Sequence, residues 1–85
     1  MKTIKNYSSI EKDILKYIEK NQGILLDKND IDEINLISLG MDSLDVAELI
    51  LAFEEKYNID LEDQQIYRFK SVRNFINCVF EKITE

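Results

Sequence analysis

The sequence contains no histidine, proline or tryptophan, only one cysteine, and two glycines among its 85 residues. A single cysteine excludes a disulfide within the chain, and the absence of histidine removes the commonest zinc ligand and general base. The lack of proline and glycine is unlike a turn-rich sheet protein. Since 45% of the residues are hydrophobic and 33% are charged, the chain is also unlike a disordered tail. We therefore expect a compact, metal-free, all-α protein.

Long apolar segments are also lacking. The longest apolar run covers only residues 49–53, and the polar N-terminal residues have no signal-peptide core. We expect no membrane insertion and a cytoplasmic location. A chain of this length buries one modest core, which predicts a single domain over residues 1–85.

The net charge of −6 is concentrated in the middle of the chain. Residues 27–63 hold twelve acidic residues and two lysines, whereas both flanking segments carry a small excess of basic residues. The electrostatic field of such an acidic segment repels nucleic acid and attracts basic protein surfaces. The alternative is that the acidic residues only favour solubility.

Hydrophobic periodicity and capping residues predict four helical segments. The first spans about residues 8–21, with Ser8 and Glu11 at capping-box spacing, and the second spans 43–57. A short helix is predicted near residues 62–67, and a last helix follows Ser71. The last helix carries an apolar stripe, and Cys78 falls toward its edge, where we expect packing and no reactivity.

A long connection joins the first two predicted helices over residues 23–42. Its periodicity is weak, but apolar residues are scattered along it. We expect these residues to hold the connection against the core: Ile24, Leu25, Leu26, Ile31, Ile34, Leu36, Ile37 and Leu39.

The second helix has two different apolar sides when its residues are placed 100° apart. The core side is predicted to comprise Val46, Ile50, Phe53 and Tyr57, with Leu49 at its margin. Leu44 and Leu51 fall on the opposite side, next to Glu48 and Glu55, with Ala47 near the edge that holds Ser43. Exposed leucines among carboxylates indicate a docking surface, although single exposed leucines are common.

Ser43 lies at the predicted start of this helix, after Gly40 and Asp42. Aspartate and serine are both common capping residues, which is one explanation for the pair. The other is that Ser43 carries a phosphodiester, because unpaired amides and the helix dipole favour a phosphate at a helix N-terminus.

The sequences LGMDSLD at 39–45, VAEL at 46–49 and FEEKY at 53–57 resemble the acyl carrier protein family and the related carrier domains of polyketide and nonribosomal peptide synthesis. The resemblance continues with matching spacing through Ile59, Leu61, Ile66, Phe69 and Val72, and it covers about two thirds of the chain. It implies a four-helix bundle with a long loop between helices one and two and a short third helix.

The resemblance also implies a function. Ser43 would carry 4′-phosphopantetheine, transferred from coenzyme A by a magnesium-dependent phosphopantetheinyl transferase, and the protein would catalyse no reaction itself. Acyl groups carried as thioesters would be delivered to acyl-transfer and synthase enzymes with basic docking patches, and we expect the carrier to be a monomer. The expected partner-binding residues are Asp42, Leu44, Asp45, Ala47, Glu48, Leu51, Glu54 and Glu55.

Members of the family can shelter an acyl chain between their helices. Candidate lining residues are Val46, Ile50, Phe53, Ile66, Phe69 and Phe75, and the three phenylalanines would limit the space. The segment at 35–40 lacks the acidic residues often found there in fatty-acid carriers. It resembles the corresponding turn in carrier domains of specialised peptide or polyketide pathways. The acidic second helix resembles stand-alone fatty-acid carriers, so both pathway classes stay open.

Three functions other than an acyl carrier can be compared with the sequence. A calcium loop beginning at Asp27 would lack its sixth-position glycine and would end at Ser38 where a glutamate is needed. A serine hydrolase would need a base that the chain does not supply. The remaining alternative is a small acidic adaptor that binds a basic protein through the second helix without a prosthetic group.

Overall fold

The computed structural model describes residues 6–61 and 71–84 of the chain. Over these residues the order of elements is helix α1 (Tyr7–Gln22), a 3-10 turn (Ile37–Leu39), helix α2 (Ser43–Tyr57) and helix α3 (Val72–Thr84). The described ranges contain no β-strand, in agreement with the predicted all-α class. None of their helices is long and apolar enough to cross a membrane. The predicted short helix at 62–67 lies outside the described residues.

Helix α1 begins differently from the prediction. Its N-cap is Asn6, whose side chain accepts a hydrogen bond from the Ser9 N–H at 2.8 Å. The predicted capping box of Ser8 and Glu11 is therefore wrong: both residues lie inside the helix, and Glu11 pairs with Arg73 instead. Asparagine caps helices as well as serine does, and Asn6 lies two residues before Ser8, so the helix begins at Tyr7.

Helices α2 and α3 agree with the prediction. The observed α2 has the predicted bounds, and its C-cap is Asn58, which adopts a left-handed conformation with φ 54°. Ser71 caps α3, because its hydroxyl oxygen accepts a hydrogen bond from the Asn74 N–H at 3.1 Å. Cys78 is half-buried and packs against the core, as its place at the edge of the stripe predicts.

One apolar core joins the three described helices. Phe53 of α2 lies at its centre, with ring centroids 5.4 Å from Tyr17 of α1 and 6.0 Å from Phe75 of α3. The predicted core side of α2 is confirmed, with Tyr57 half-buried at its end. The buried residues contributed by the helices are Ile10, Ile14, Leu15, Ile18, Val46, Leu49, Ile50, Phe53, Val72, Phe75, Ile76 and Val79.

A polar contact also links α1 to α2 at the edge of this core. The Tyr57 hydroxyl donates a hydrogen bond to the Asp13 carboxylate. Burial, followed by this hydrogen bond and the negative charge of Asp13, raises the pKa of Tyr57 above its ordinary value. The phenol therefore stays protonated and available as a donor over the physiological pH range.

The connection between α1 and α2 packs on the core through some of the predicted residues. Ile31 and Leu36 are buried, and Leu26, Ile34 and Leu39 are half-buried against the core. The prediction is wrong for two residues, since Leu25 is 92% exposed and Ile37 is 79% exposed. Leu26 takes the inward position beside Leu25, and Leu36 takes the one beside Ile37, whereas Ile24 is half-buried without packing on the core cluster.

Arg73, near the start of α3, ties the connection to α1. Its guanidinium donates to Glu11 Oε2 and Asp32 Oδ1, both at 2.7 Å, and to the Tyr7 hydroxyl at 2.8 Å. A longer bond of 3.3 Å reaches the Lys28 carbonyl. Burial by itself lowers the pKa of Arg73, but the hydrogen bonds to Asp32, Tyr7 and Glu11 outweigh it and raise the pKa, so the group stays charged.

The backbone of α3 adds to this attachment. The Val72 N–H donates to the Ile34 carbonyl at 2.9 Å, and the Arg73 N–H donates to the Ile31 carbonyl at 3.3 Å. Two amides of the first helical turn, which have no acceptor within the helix, are thus satisfied by the connection. The start of α3 and residues 28–34 therefore form one hydrogen-bonded unit.

A first prediction compares two apolar residues of α2. Phe53→Ala should lower the free energy of unfolding by about 3 to 5 kcal/mol, because it leaves a cavity where three helices meet. Leu51→Ala, on the exposed side, should change it by no more than about 0.5 kcal/mol. Urea denaturation followed by circular dichroism measures both, and equal losses would contradict the observed orientation of α2.

A second prediction concerns the Arg73 contacts. Arg73→Met should lower the free energy of unfolding by about 1 to 3 kcal/mol, because it leaves the largely buried Glu11 carboxylate without its partner. Hydrogen exchange of the amides at residues 28–34 should accelerate more than exchange within α2. Lys12→Met removes an exposed charge from α1 and serves as the control. Unchanged exchange at 28–34 would show that Arg73 does not hold the connection.

Candidate functional site

The start of α2 is fixed by two aspartates. The Asp45 N–H donates to Asp42 Oδ1 at 2.9 Å, and the Asp42 N–H donates back to Asp45 Oδ2 at 3.2 Å. This reciprocal pair is a capping box, in which Asp42 is the N-cap and Asp45 the third helical residue. The helix therefore has its cap without any contribution from Ser43.

Ser43 is the first residue of α2 and is exposed. Among the described residues its hydroxyl has no hydrogen-bond partner. The capping explanation of Ser43 is thus excluded, because Asp42 performs that role. What remains is an accessible primary alcohol at a helix N-terminus, where the first backbone amides lack helical acceptors and the dipole is positive. These features fit a phosphodiester attached to the serine oxygen.

The turn before α2 explains why Ser43 faces outward. Gly40 has φ 86°, a left-handed conformation that favours glycine, and it ends the 3-10 turn. Met41 follows with its side chain buried, and its N–H donates to the Leu36 carbonyl at 3.3 Å. The chain is therefore anchored in the core at Met41 and emerges at the surface two residues later.

The outer side of α2 continues from Ser43. Leu44 is 67% exposed and Leu51 is 58% exposed, which confirms that these two leucines point away from the core. Glu48 and Glu55 are exposed, and Asp45 and Ala47 are half-buried. Neither glutamate forms an ion pair with any described residue. This side of α2 thus presents apolar side chains beside unneutralised carboxylates.

Glu54 differs from the other acidic residues of α2. It is half-buried, and its Oε2 accepts a hydrogen bond from the Leu61 N–H at 2.7 Å. Glu54 therefore fixes the path of the chain just after the helix. Its predicted contact with partners stays a prediction, as do those of Asp42 and Asp45, whose carboxylates form the capping box.

The candidates for an acyl pocket are only partly described. Val46, Ile50, Phe53 and Phe75 are all buried in the shared core, where the Phe53 and Phe75 rings meet edge to face. Ile66 and Phe69 lie outside the described residues. A surface groove does exist between α1 and the connection, but none of the candidates lines it; its lining residues are Leu15, Glu19, Leu25, Leu26, Asp27 and Lys28.

Two features of the turn before α2 were not predicted from the sequence. Gln22, the last residue of α1, donates from its side chain to the Leu39 carbonyl at 2.9 Å. Ile37 is exposed on the 3-10 turn. A glutamine in a last helical turn is ordinary, so no spacing or residue type in the sequence marks this contact. Within the described ranges, no group of three or more metal-ligating side chains is present.

Comparisons with known proteins agree with this geometry. A family model described as the phosphopantetheine attachment site matches residues 12–79. An acyl carrier protein of Buchnera aphidicola is 35% identical over 71 residues, covering 84% of this chain and 91% of the relative. An acyl carrier protein of Picosynechococcus is 38% identical, covering 75% of this chain and 88% of the relative.

A solved structure is similar as well. The crystal structure of an acyl carrier protein from Thermotoga maritima aligns with a TM-score of 0.73 and 26% identity, covering 92% of this chain and 91% of that one. The matched segments contain the start of α2 and its outer side. The chain therefore belongs to the acyl carrier protein family, whose phosphopantetheine attachment domain it carries over residues 12–79.

Proposed function

We propose that this protein carries acyl groups as thioesters on a 4′-phosphopantetheine arm attached to Ser43, and delivers them to partner enzymes. The observation that carries the proposal is the exposed Ser43 hydroxyl, free of any described partner at the capped start of α2. It lies inside the segment that matches the phosphopantetheine attachment family. When bound, the arm supplies the terminal thiol that forms the thioester.

Attachment is a phosphoryl transfer to the serine oxygen. Ser43 Oγ attacks the phosphorus of coenzyme A that bears the pantetheine group, and a new P–O bond forms. The P–O bond to the second phosphate of the pyrophosphate breaks, and adenosine 3′,5′-bisphosphate leaves with the bond electrons. The serine proton passes to a base, which in this proposal the transferase supplies together with the other catalytic groups.

The capping box supports this role by keeping Ser43 free. Asp42 and Asp45 satisfy each other's backbone amides, so the helix start needs no hydrogen bond from the serine. The positive helix end partly offsets the charge of the attached phosphodiester. In this proposal the chain supplies an attachment point and a recognition surface, and the catalytic groups belong to its partners.

The recognition surface is the outer side of α2. Leu44 and Leu51 would enter shallow apolar sites, while Glu48 and Glu55 meet basic side chains of the partner. The proposed surface also includes Asp42, Asp45, Ala47 and Glu54. Exposed ion pairs contribute little individually, so the complexes should be weak, rapid and sensitive to salt. A carrier that visits several enzymes needs such short-lived complexes.

The proposal extends to architecture and pathway. We expect one carrier domain over residues 1–85, forming a four-helix bundle whose short third helix falls near residues 62–67. The alignment with the Thermotoga maritima structure over 92% of this chain supports that arrangement. The pathway we expect is fatty acid biosynthesis or a related polyketide or nonribosomal peptide pathway.

A third prediction tests attachment. Incubation with coenzyme A, magnesium and a broad-specificity phosphopantetheinyl transferase should add the mass of one phosphopantetheine, measured by intact-protein mass spectrometry. Ser43→Ala should abolish the gain because it removes the attacking oxygen. Ser38→Ala should retain it, since that serine lies nearby but donates its hydroxyl hydrogen to the Asn35 carbonyl.

The same experiment separates the carrier from an adaptor without a prosthetic group. No gain of mass by the native chain, under conditions in which an established carrier is fully modified, would refute the carrier function. A gain that persists in Ser43→Ala would leave a carrier but place the attachment elsewhere.

A fourth prediction tests the recognition surface. Leu51→Ala and Glu48→Lys should each lower kcat/KM of the transferase about 5- to 30-fold, because losing a well-placed apolar or charged contact costs roughly 1 to 2 kcal/mol. Leu25→Ala and Glu81→Lys make the same changes at exposed sites on other elements. Thermal unfolding checks that all four variants fold. Equal losses in the control variants would argue against a surface specific to α2.

A further inference from the structure

The C-terminal end of α1 reaches the turn that leads into α2 through one side chain. The Gln22 side-chain amide donates to the Leu39 carbonyl at 2.9 Å, joining residues 17 positions apart. The same amide lies against Gly40, where an added Cβ would be 3.5 Å from Gln22 Nε2. Gln22 therefore bonds to the last residue of the 3-10 turn and lies close to the glycine that ends it.

Leu36, Leu39 and Met41 pack the turn and its flanks on the core, but among the described residues the turn has few polar attachments to the helices. It is three residues long and is closed by hydrogen bonds from the Leu39 N–H to the Leu36 carbonyl at 3.1 Å and from the Gly40 N–H to the Ile37 carbonyl at 3.0 Å. Such short helices have poor hydrogen-bond geometry and little stability of their own. The exposed Ile37 adds no burial, and the Ser38 hydroxyl bonds only to the neighbouring Asn35. Within residues 6–61 and 71–84, the bond from Gln22 is the side-chain hydrogen bond that joins this turn to a helix.

The turn also determines where α2 begins. Only Met41 and Asp42 separate Gly40 from Ser43, and the Met41 N–H bonds back to the Leu36 carbonyl at the start of the turn. A displacement of the Leu39 carbonyl is therefore transmitted over a short, closed stretch of backbone to the capped end of α2. The outer side of α2 itself is held independently by the core contacts of Phe53.

We propose that Gln22 is a positioning residue for the modification of Ser43: it acts through the turn before α2 and not by contacting the serine. By fixing the Leu39 carbonyl and packing on Gly40, it keeps the turn in the one arrangement that a transferase recognises next to the serine. This inference rests on the proposed function, because it concerns the same attachment reaction.

The two kinetic constants should respond differently to loss of this bond. Without the bond, the turn would adopt the conformation that the transferase binds for only a fraction of the time. The apparent affinity of the transferase for the carrier falls in proportion to that fraction. Once the transferase has bound the competent arrangement, Ser43 and the attacked phosphorus meet as before. Loss of the Gln22 bond should therefore raise KM for the carrier and leave kcat unchanged.

A fifth prediction uses a matched pair of variants. Gln22→Met keeps an unbranched side chain of similar size but removes the donor, and Asn21→Met introduces the same residue at the preceding position. The Asn21 side chain bonds to the Tyr17 carbonyl of its own helix and does not reach the turn. Steady-state transfer from coenzyme A by a broad-specificity phosphopantetheinyl transferase gives KM and kcat, and NMR hydrogen exchange follows the Leu39 and Gly40 amides.

Gln22→Met should raise KM about 2- to 10-fold at constant kcat, since one hydrogen bond is the interaction lost. It should also accelerate exchange at Leu39 and Gly40, whereas Asn21→Met should match the native chain in both measurements. An unchanged KM in Gln22→Met, a fall in kcat in its place, or an equal effect of Asn21→Met would overturn the role of Gln22. If the native chain accepts no phosphopantetheine, the proposed function fails and this inference fails with it.

Discussion

The packing of Phe53 is the interaction on which the rest of the structure depends. Its ring contacts Tyr17 of α1 and Phe75 of α3, so the three described helices meet at one side chain of α2. Fixing Phe53 inward fixes the rotation of α2, because each residue is displaced by 100° from the last. Leu51, two residues earlier, must then face outward. The outward side of α2 is thus a geometric consequence of the core and not a separate feature of the fold.

The start of α2 divides structural and chemical roles between neighbouring residues. Asp42 and Asp45 accept hydrogen bonds from each other's backbone amides and so cap the helix. The Ser43 hydroxyl is therefore not needed for capping. If the serine oxygen capped the helix, modification would turn that hydrogen-bond acceptor into a weaker and more crowded ester oxygen. Here the serine oxygen can gain a phosphodiester while the cap remains in place. The helix end is then a stable support for a group that moves between enzymes.

The acidic residues of the chain are divided in a similar way. Glu11 and Asp32 are paired with Arg73, and Glu54 holds the Leu61 amide, so these carboxylates stabilise the fold. Glu48 and Glu55 have no ion pair with a described residue and face solvent on α2. These two carboxylates therefore add negative charge to the surface beside Leu44 and Leu51 without holding any described part of the fold.

Features of the fold that depend on local spacing were predictable from the amino-acid sequence. The bounds of α2, its buried and exposed sides, and the Ser71 cap of α3 could be predicted because hydrophobic period and capping residues act over a few positions. The same reasoning placed Ser43 at a helix start but left open whether the serine or Asp42 was the cap. It also placed the cap of α1 at Ser8 and directed Leu25 and Ile37 inward. These points were settled by the folded chain, as were the contacts of Gln22 with Leu39 and of Arg73 with Glu11. Packing brings together residues 17 and 62 positions apart, and local spacing does not encode such contacts.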